Sequence, residues 1–156
     1  MKGFRSNYSP ILFAGLVSLI SCNKEDIENY TGKWEAAETE ITVRTEDSGG
    51  NHLFTHESAA AGIEIFSDNT ASGFIGTATF DHAKVKKNSG NPETTGLAFQ
   101  VECGKIGKIF PDDPLDSKEV EIWLCPLEND RMDSELRYTE GRAHFPMAGL
   151  LFYRLE

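Results

Sequence analysis

Ile63-Glu64-Ile65-Phe66-Ser67-Asp68-Asn69-Thr70-Ala71-Ser72-Gly73-Phe74 is the stretch that decides the fold class. Two runs of β-branched and aromatic residues flank Ser-Asp-Asn. Asp and Asn bond locally to the backbone and tolerate left-handed conformations, so the stretch predicts a β-hairpin. Outward from it the same signature recurs. Strands are predicted at Trp34–Thr45, Gly62–Phe66, Ala71–Phe80, Gly96–Glu102, Glu119–Leu124, Glu135–Tyr138 and Leu150–Leu155, with shorter ones at Leu53–His56 and Arg142–Phe145. Lys86–Thr95, holding Gly90 and Pro92, and Pro111-Asp112-Asp113-Pro114 read as loops. No amphipathic pattern longer than two helical turns interrupts this order. About seven to nine short antiparallel strands in one domain imply an all-β barrel, with a two-sheet sandwich as the alternative.

The two ends of this β region carry a further pattern. Tyr30-Thr31-Gly32-Lys33-Trp34 opens the first long strand, and Arg154 lies two residues before the last residue. This resembles the lipocalins and their relatives, in which Gly-x-Trp opens an eight-stranded barrel and an arginine of the last strand packs across the tryptophan. The resemblance implies that Gly32, Trp34 and Arg154 are structural and close one end, with a guanidinium on the indole face. Glu35 stands where those proteins often carry an aromatic, and no Thr-Asp-Tyr occurs in the middle of the chain.

The first residues have a different composition. Lys2 and Arg5 precede an apolar run from Ile11 to Ile20, the layout of a signal peptide. That run is shorter than the roughly 17–25 residues that span a bilayer. It ends Leu19-Ile20-Ser21-Cys22, which resembles the bacterial lipobox. The resemblance implies a diacylglyceryl group on the Cys22 thiol and cleavage just before it. Lys24-Glu25-Asp26, directly behind, is similar to the surface-export signal of one lineage of Gram-negative bacteria. Residues 1–21 are therefore expected to be a signal peptide, 22–31 a lipidated tether and 32–156 the barrel domain. A diacylglyceryl group exceeds the single acyl chain that binds only marginally, at about 0.8 kcal/mol per buried methylene.

Composition excludes several functions. The chain carries a formal charge of −10, and removal of Lys2 and Arg5 makes it more acidic still, which opposes nucleic-acid binding. With Cys22 claimed by lipid, Cys103 and Cys125 remain. Cys103 continues the apolar face of Leu97, Phe99 and Val101, whereas Cys125 has the opposite parity to Val120, Ile122 and Leu124. Side chains pointing to opposite faces argue against a disulfide. His52 and His56 would share a strand face but lie about 13 Å apart, at roughly 3.3 Å per residue. With Glu57 or Asp81 they do not make a zinc site, whose nitrogens need to lie about 2 Å from the metal. No Gly-x-Ser-x-Gly occurs, and neither remaining cysteine has a signature tying it to a histidine. Asp112, Asp113 and Asp116 lack EF-hand spacing, are interrupted by Pro114, and read as a solvated acidic loop.

No metal or cofactor beyond the covalent lipid is expected, and no catalysis. The expected role is a surface-exposed outer-membrane lipoprotein serving as a non-catalytic binding or accessory subunit of a nutrient-uptake complex, such as a TonB-dependent transporter. A protease-inhibitor or immunity-type lipoprotein and a carrier of small apolar ligands are the alternatives. Docking is expected where a strand is apolar on both faces. That criterion selects Trp123 on Glu119–Leu124, and Leu151 and Tyr153 on Leu150–Leu155.

Overall fold

The computed structural model describes residues 26–88 and 97–156. A 3-10 turn, Ile27–Tyr30, leads into eight strands: β1 Gly32–Glu46, β2 His52–Ile65, β3 Thr70–Ile75, β4 Ala78–Lys87, β5 Phe99–Ile106, β6 Lys118–Leu127, β7 Arg131–Glu140 and β8 Ala143–Arg154. Each strand pairs with the next, antiparallel, and β8 returns to β1 through Trp34↔Arg154, Glu35↔Tyr153 and Ala36↔Phe152. The result is a closed, lipocalin-like barrel, and the sandwich alternative falls away.

Alternation along the strands puts one face inside. On β1 Trp34 and Ala36 point inward; the register shift between Ala36 and Thr39 restores Ile41 and Val43 to the same side. On β2 the inward set is Ala59, Ala61, Ile63 and Ile65. Opposite them β6 and β7 supply Val120, Ile122, Leu124, Met132 and Leu136, and β8 supplies Leu150 and Phe152. These side chains form one contiguous core that occupies the barrel interior.

The hairpin at 63–74 forms as its turn chemistry predicts. Phe66 N–H donates to Thr70 O at 2.9 Å, Asp68 Oδ1 accepts from Thr70 N–H and Oγ1–H, and Asn69 takes φ +64°. Several boundaries differ from the sequence reading. Leu53–His56 and Gly62–Phe66 belong to a single strand, β2, and Arg142–Phe145 merges with Leu150–Leu155 in β8. Conversely, Ala71–Phe80 is two strands, because Gly76 (φ +57°) and Thr77 reverse the chain. Of the expected loop at 86–95, Lys86 and Lys87 still belong to β4, and residues 89–95 lie outside the described residues.

Two ends result. The closed end carries the 3-10 turn, the turns at 66–69 and 128–130, and Arg154. The mouth carries the β1–β2, β3–β4 and β7–β8 turns and the long β5–β6 loop, residues 107–117. That loop folds into the mouth: Ile109 and Phe110 are buried with the core. It is pinned to the β3–β4 turn, where Thr77 N–H donates to Ile109 O (2.9 Å) and Thr77 Oγ1–H to Lys108 O (2.7 Å). A Cβ on Gly76 would come 2.0 Å from Ile109 O, so only glycine permits this approach.

The acidic loop is a correction. Asp113 is buried, and its carboxylate accepts from Ile109 N–H (2.9 Å), Leu115 N–H (3.0 Å) and Lys118 Nζ (2.6 Å). Lys118, buried on β6, also donates to Gly107 O and Leu115 O. Both charges are out of water, and their hydrogen-bonding capacity is taken up by each other and by loop backbone, the condition under which a buried pair is tolerated. Asp112 and Asp116 stay at the surface.

Candidate functional site

The closed end is built around Trp34. Its indole N–H donates to Tyr30 O at 2.9 Å, tying β1 to the 3-10 turn. The Arg154 guanidinium lies 4.4 Å from the centre of the Trp34 rings. Its nitrogens donate to Thr31 O (2.7 Å), Asn29 O (3.2 Å) and Asp130 Oδ1 (3.0 Å). One side chain thus joins the first strand, the turn before it and the β6–β7 turn. Gly32 adopts φ +119° beneath it; a Cβ there would lie 3.5 Å from Arg154 Nη1. Backbone in that region strains any other residue.

The segment before the 3-10 turn also meets the barrel at this end. Asp26 pairs with Lys87 Nζ at 2.7 Å. A cleft of about 330 Å³ lies between the 3-10 turn and the barrel, lined by Asp26, Ile27, Asn69, Lys86, Lys87 and Phe99 among others. Cys22, Lys24 and Glu25 lie outside the described residues.

The three residues singled out for docking fare differently. Tyr153 is 50 % exposed on the outer face of β8, and Leu151 on the same face is half-buried. Trp123 also points outward, but it is only 7 % exposed. It lies level with Gln100 on β5 and Glu135 on β7, and the Arg137 guanidinium stands 6.0 Å from its ring centre. Long side chains of the neighbouring rows therefore cover it, and it offers no open aromatic surface. Below it in the same face, Glu121 is buried between Gln100, which donates to it, and His144, whose Nδ1 is 2.8 Å away.

Three exposed apolar residues escaped the sequence reading as surface features. Leu155 (42 % exposed) adjoins Tyr153 and lines a shallow cleft of about 360 Å³ with Lys33, Glu64 and Phe74. Phe74 lies flat on Gly62, where a Cβ would come within 2.5 Å of its ring. Leu53 and Phe54 are the other two, 50 % and 57 % exposed, near the tip of the β1–β2 hairpin. The hint of them in the sequence is an apolar pair one residue beyond Gly49-Gly50-Asn51.

The chemistry-bearing groups are engaged elsewhere. His56 Nδ1 is 2.8 Å from Thr42 Oγ1, and His52 lies 3.5 Å from Glu46. Among the described residues no group of three His, Cys, Asp or Glu is arranged to hold a metal ion. Burial pushes the Cys103 thiol well above its ordinary range, with Glu121 adding to the effect, which disfavours the nucleophilic thiolate. Cys103 and Cys125 are not bridged to each other. Phe99 pairs with Leu124, so Cys125 lies level with Ala98, about five residues or roughly 17 Å along the sheet from Cys103. Tyr138 is likewise shifted upward, chiefly by burial, and its hydroxyl donates to Arg44 O.

Compared with family models, with curated proteins and with solved structures, the chain finds no match in any of the three.

Proposed function

We propose that this chain is a lipid-anchored subunit at a bacterial outer membrane, displayed on the cell surface and docked without catalysis on a membrane-embedded assembly, with a TonB-dependent nutrient transporter as the preferred partner. The observation that carries this reading is the occupied barrel. Core side chains fill the interior and the 107–117 loop enters the mouth. A carrier of small apolar ligands needs a mostly apolar pocket that encloses its ligand, whereas the cleft of about 510 Å³ at the mouth is open and lined by Arg44, Thr45, Glu46, Tyr138 and Glu140 among others. Recognition is therefore assigned to the outside of the barrel.

Geometry suggests which part of the outside. With the lipid on Cys22 and Asp26 held at the closed end by Lys87, that end is tethered within a few residues of the membrane. Tyr153, Leu151 and Leu155 stand at the same end, beside Arg154. A membrane-proximal apolar patch suits a partner embedded in that membrane, and lipid confinement raises the effective concentration enough for a small interface to persist.

The test is affinity isolation of the full-length lipoprotein from detergent-solubilised outer membrane. A specific membrane protein should co-purify, and Tyr153→Asp with Leu155→Asp should release it at unchanged melting temperature. Retention of the partner by that variant, or turnover of a sugar, peptide or ester lost on mutating one carboxylate, would replace this reading. Anchoring is tested separately: Cys22→Ala should abolish lipid labelling and detergent partitioning. Surface display is tested by changing Lys24, Glu25 and Asp26 together to alanine, which should shield the protein from external protease in intact cells.

A further inference from the structure

The β1–β2 hairpin outgrows the barrel. β3 pairs with β2 only from Ala61 to Ile65, and Gly76 N–H donates to Ala60 O just beyond that ladder. From His52 to Ala59, β2 has one strand partner among the described residues, β1. The hydrogen-bonding phase of the free edge follows from its two ends. Asp47 N–H donates to Asn51 O, so the odd-numbered residues address β1. Ala60 O faces β3, so the even-numbered ones face outward. The N–H and C=O groups of His52, Phe54, His56 and Ser58 therefore point away from β1. An edge of this length with a Leu-Phe-Thr core is a template for another strand.

We propose that two copies of this chain pair antiparallel through these β2 edges, with the two-fold axis at Thr55. The edge is self-complementary about that residue. Phe54 and His56, both outward in phase, fall opposite His56 and Phe54 of the second copy, and His52 falls opposite Ser58. Two-fold symmetry repeats each contact, on the order of eight main-chain hydrogen bonds in all. Phe54 already stacks on His56 within one chain, with ring centres 6.4 Å apart. Pairing gathers four such rings on one face. Charge favours self-association here over other surfaces: the chain carries −10, yet His52–Ser58 holds a single acid, Glu57, and two histidines. The tip is tied by Asp47 Oδ1, which accepts from Gly49 N–H and Asn51 N–H. The surface is separate from Tyr153 and Leu155, so this inference does not rest on the docking proposed above.

The symmetry makes a register-specific test. In full-length protein purified in detergent, Thr55→Cys places two thiols at a non-hydrogen-bonded pair, about 4.5 Å between Cα atoms and within disulfide reach. Mild oxidation should convert most of it to a disulfide dimer on a non-reducing gel, at least ten-fold above the parent protein. Leu53→Cys and Glu57→Cys alone should stay near the parent level, whereas mixing the two should restore cross-linking. His56→Pro removes an outward N–H that no strand among the described residues pairs with; added to Thr55→Cys it should reduce the dimer at least ten-fold while the near-UV circular dichroism is retained. Equal cross-linking at residues 53, 55 and 57, or none at 55, overturns the proposal. So does loss of a different co-purifying protein from His56→Pro when Thr55→Cys never self-links, because the edge then serves another chain. Should His56→Pro fail to fold, the register comparison decides alone.

Discussion

At the closed end Trp34 lies beneath a guanidinium whose nitrogens reach three carbonyl or carboxyl oxygens near the surface, while at the mouth Asp113 and Lys118 neutralise each other inside a loop that has folded into the barrel. Both arrangements stop a cylinder of strands, and both join segments that no single hairpin would join. The closed end uses a large apolar surface with a cation on top, still partly in touch with water. The mouth uses a fully desolvated ion pair to fix a loop whose apolar residues, Ile109 and Phe110, supply the burial. The first arrangement degrades gradually when one part is removed. The second is all or nothing, since either charge alone would be buried unpaired.

Cutting each stopper at its centre gives the largest effects. Asp113→Ala should cost about 3–5 kcal/mol by stranding Lys118, and Trp34→Ala about 3–5 kcal/mol by leaving a cavity. Urea unfolding of both variants checks this. The difference lies in repair: adding Lys118→Met to Asp113→Ala should recover much of the loss, because the uncompensated charge has gone. No second change at the closed end should rescue Trp34→Ala. If Lys118→Met rescues nothing, the ion pair is not what seats the loop.

Gly76→Ala comes next. Its methyl would meet Ile109 O at 2.0 Å, so the loop and the turn must separate, at about 1–3 kcal/mol. Faster hydrogen exchange at Thr77 N–H, with the Trp34 indole N–H unchanged, would confine the damage to the mouth. Smaller again is the coupling between Trp34 and Arg154. A double-mutant cycle should return about 0.5–2 kcal/mol, the range for a guanidinium over an indole. Additive effects would mean that Arg154 acts through its carbonyl contacts alone.

How legible each end is in the sequence follows from the range of its contacts. Gly32-Lys33-Trp34 is a local pattern, and Arg154 can be matched to it because both sit at the margins of the β region. The hairpin at 63–74 is local too, and Asp68 and Asn69 announce its turn. The mouth is opaque for the opposite reason. Asp113 between two prolines reads as a solvated acid until Lys118, five residues on, is carried into the interior by the inward phase of β6. The Gly76-Thr77 reversal is hidden because β-forming residues continue on both sides of it, and its cause is Ile109, thirty-three positions away in sequence. Trp123 shows a further limit: parity placed it outward, as found, but parity does not report that Arg137 and its neighbours would cover it.

The smallest effect concerns the hairpin tip beyond the mouth. Hydrogen bonds from the Asn51 side chain and from tip amides hold the Asp47 carboxyl below the usual aspartate range. A depressed native pKa means that order at the tip is present above the unfolded value and lost as pH falls through the folded one. The amide resonances of Gly49 and Asn51 should therefore titrate with a midpoint below that of an ordinary aspartate. Asp47→Ala should loosen the tip and leave the melting temperature of the barrel nearly unchanged, since the group is fully exposed.

The Arg154 contacts also constrain the order of events during folding. Arg154 Nη1 reaches Thr31 O across 123 positions of chain, and the β1–β8 seam closes over a similar span. Loop-closure entropy weighs against forming such contacts early, and topologies dominated by distant pairings fold slowly. β1 to β4, and β6 to β8, are each joined by short turns and are able to zip pairwise, but the cylinder stays open until β8 meets β1. A chain emerging from its N-terminus thus remains without a closed barrel until the Phe152–Arg154 end of β8 arrives. Under the export proposed above, that delay would keep the polypeptide free of a closed barrel while it is threaded through a membrane.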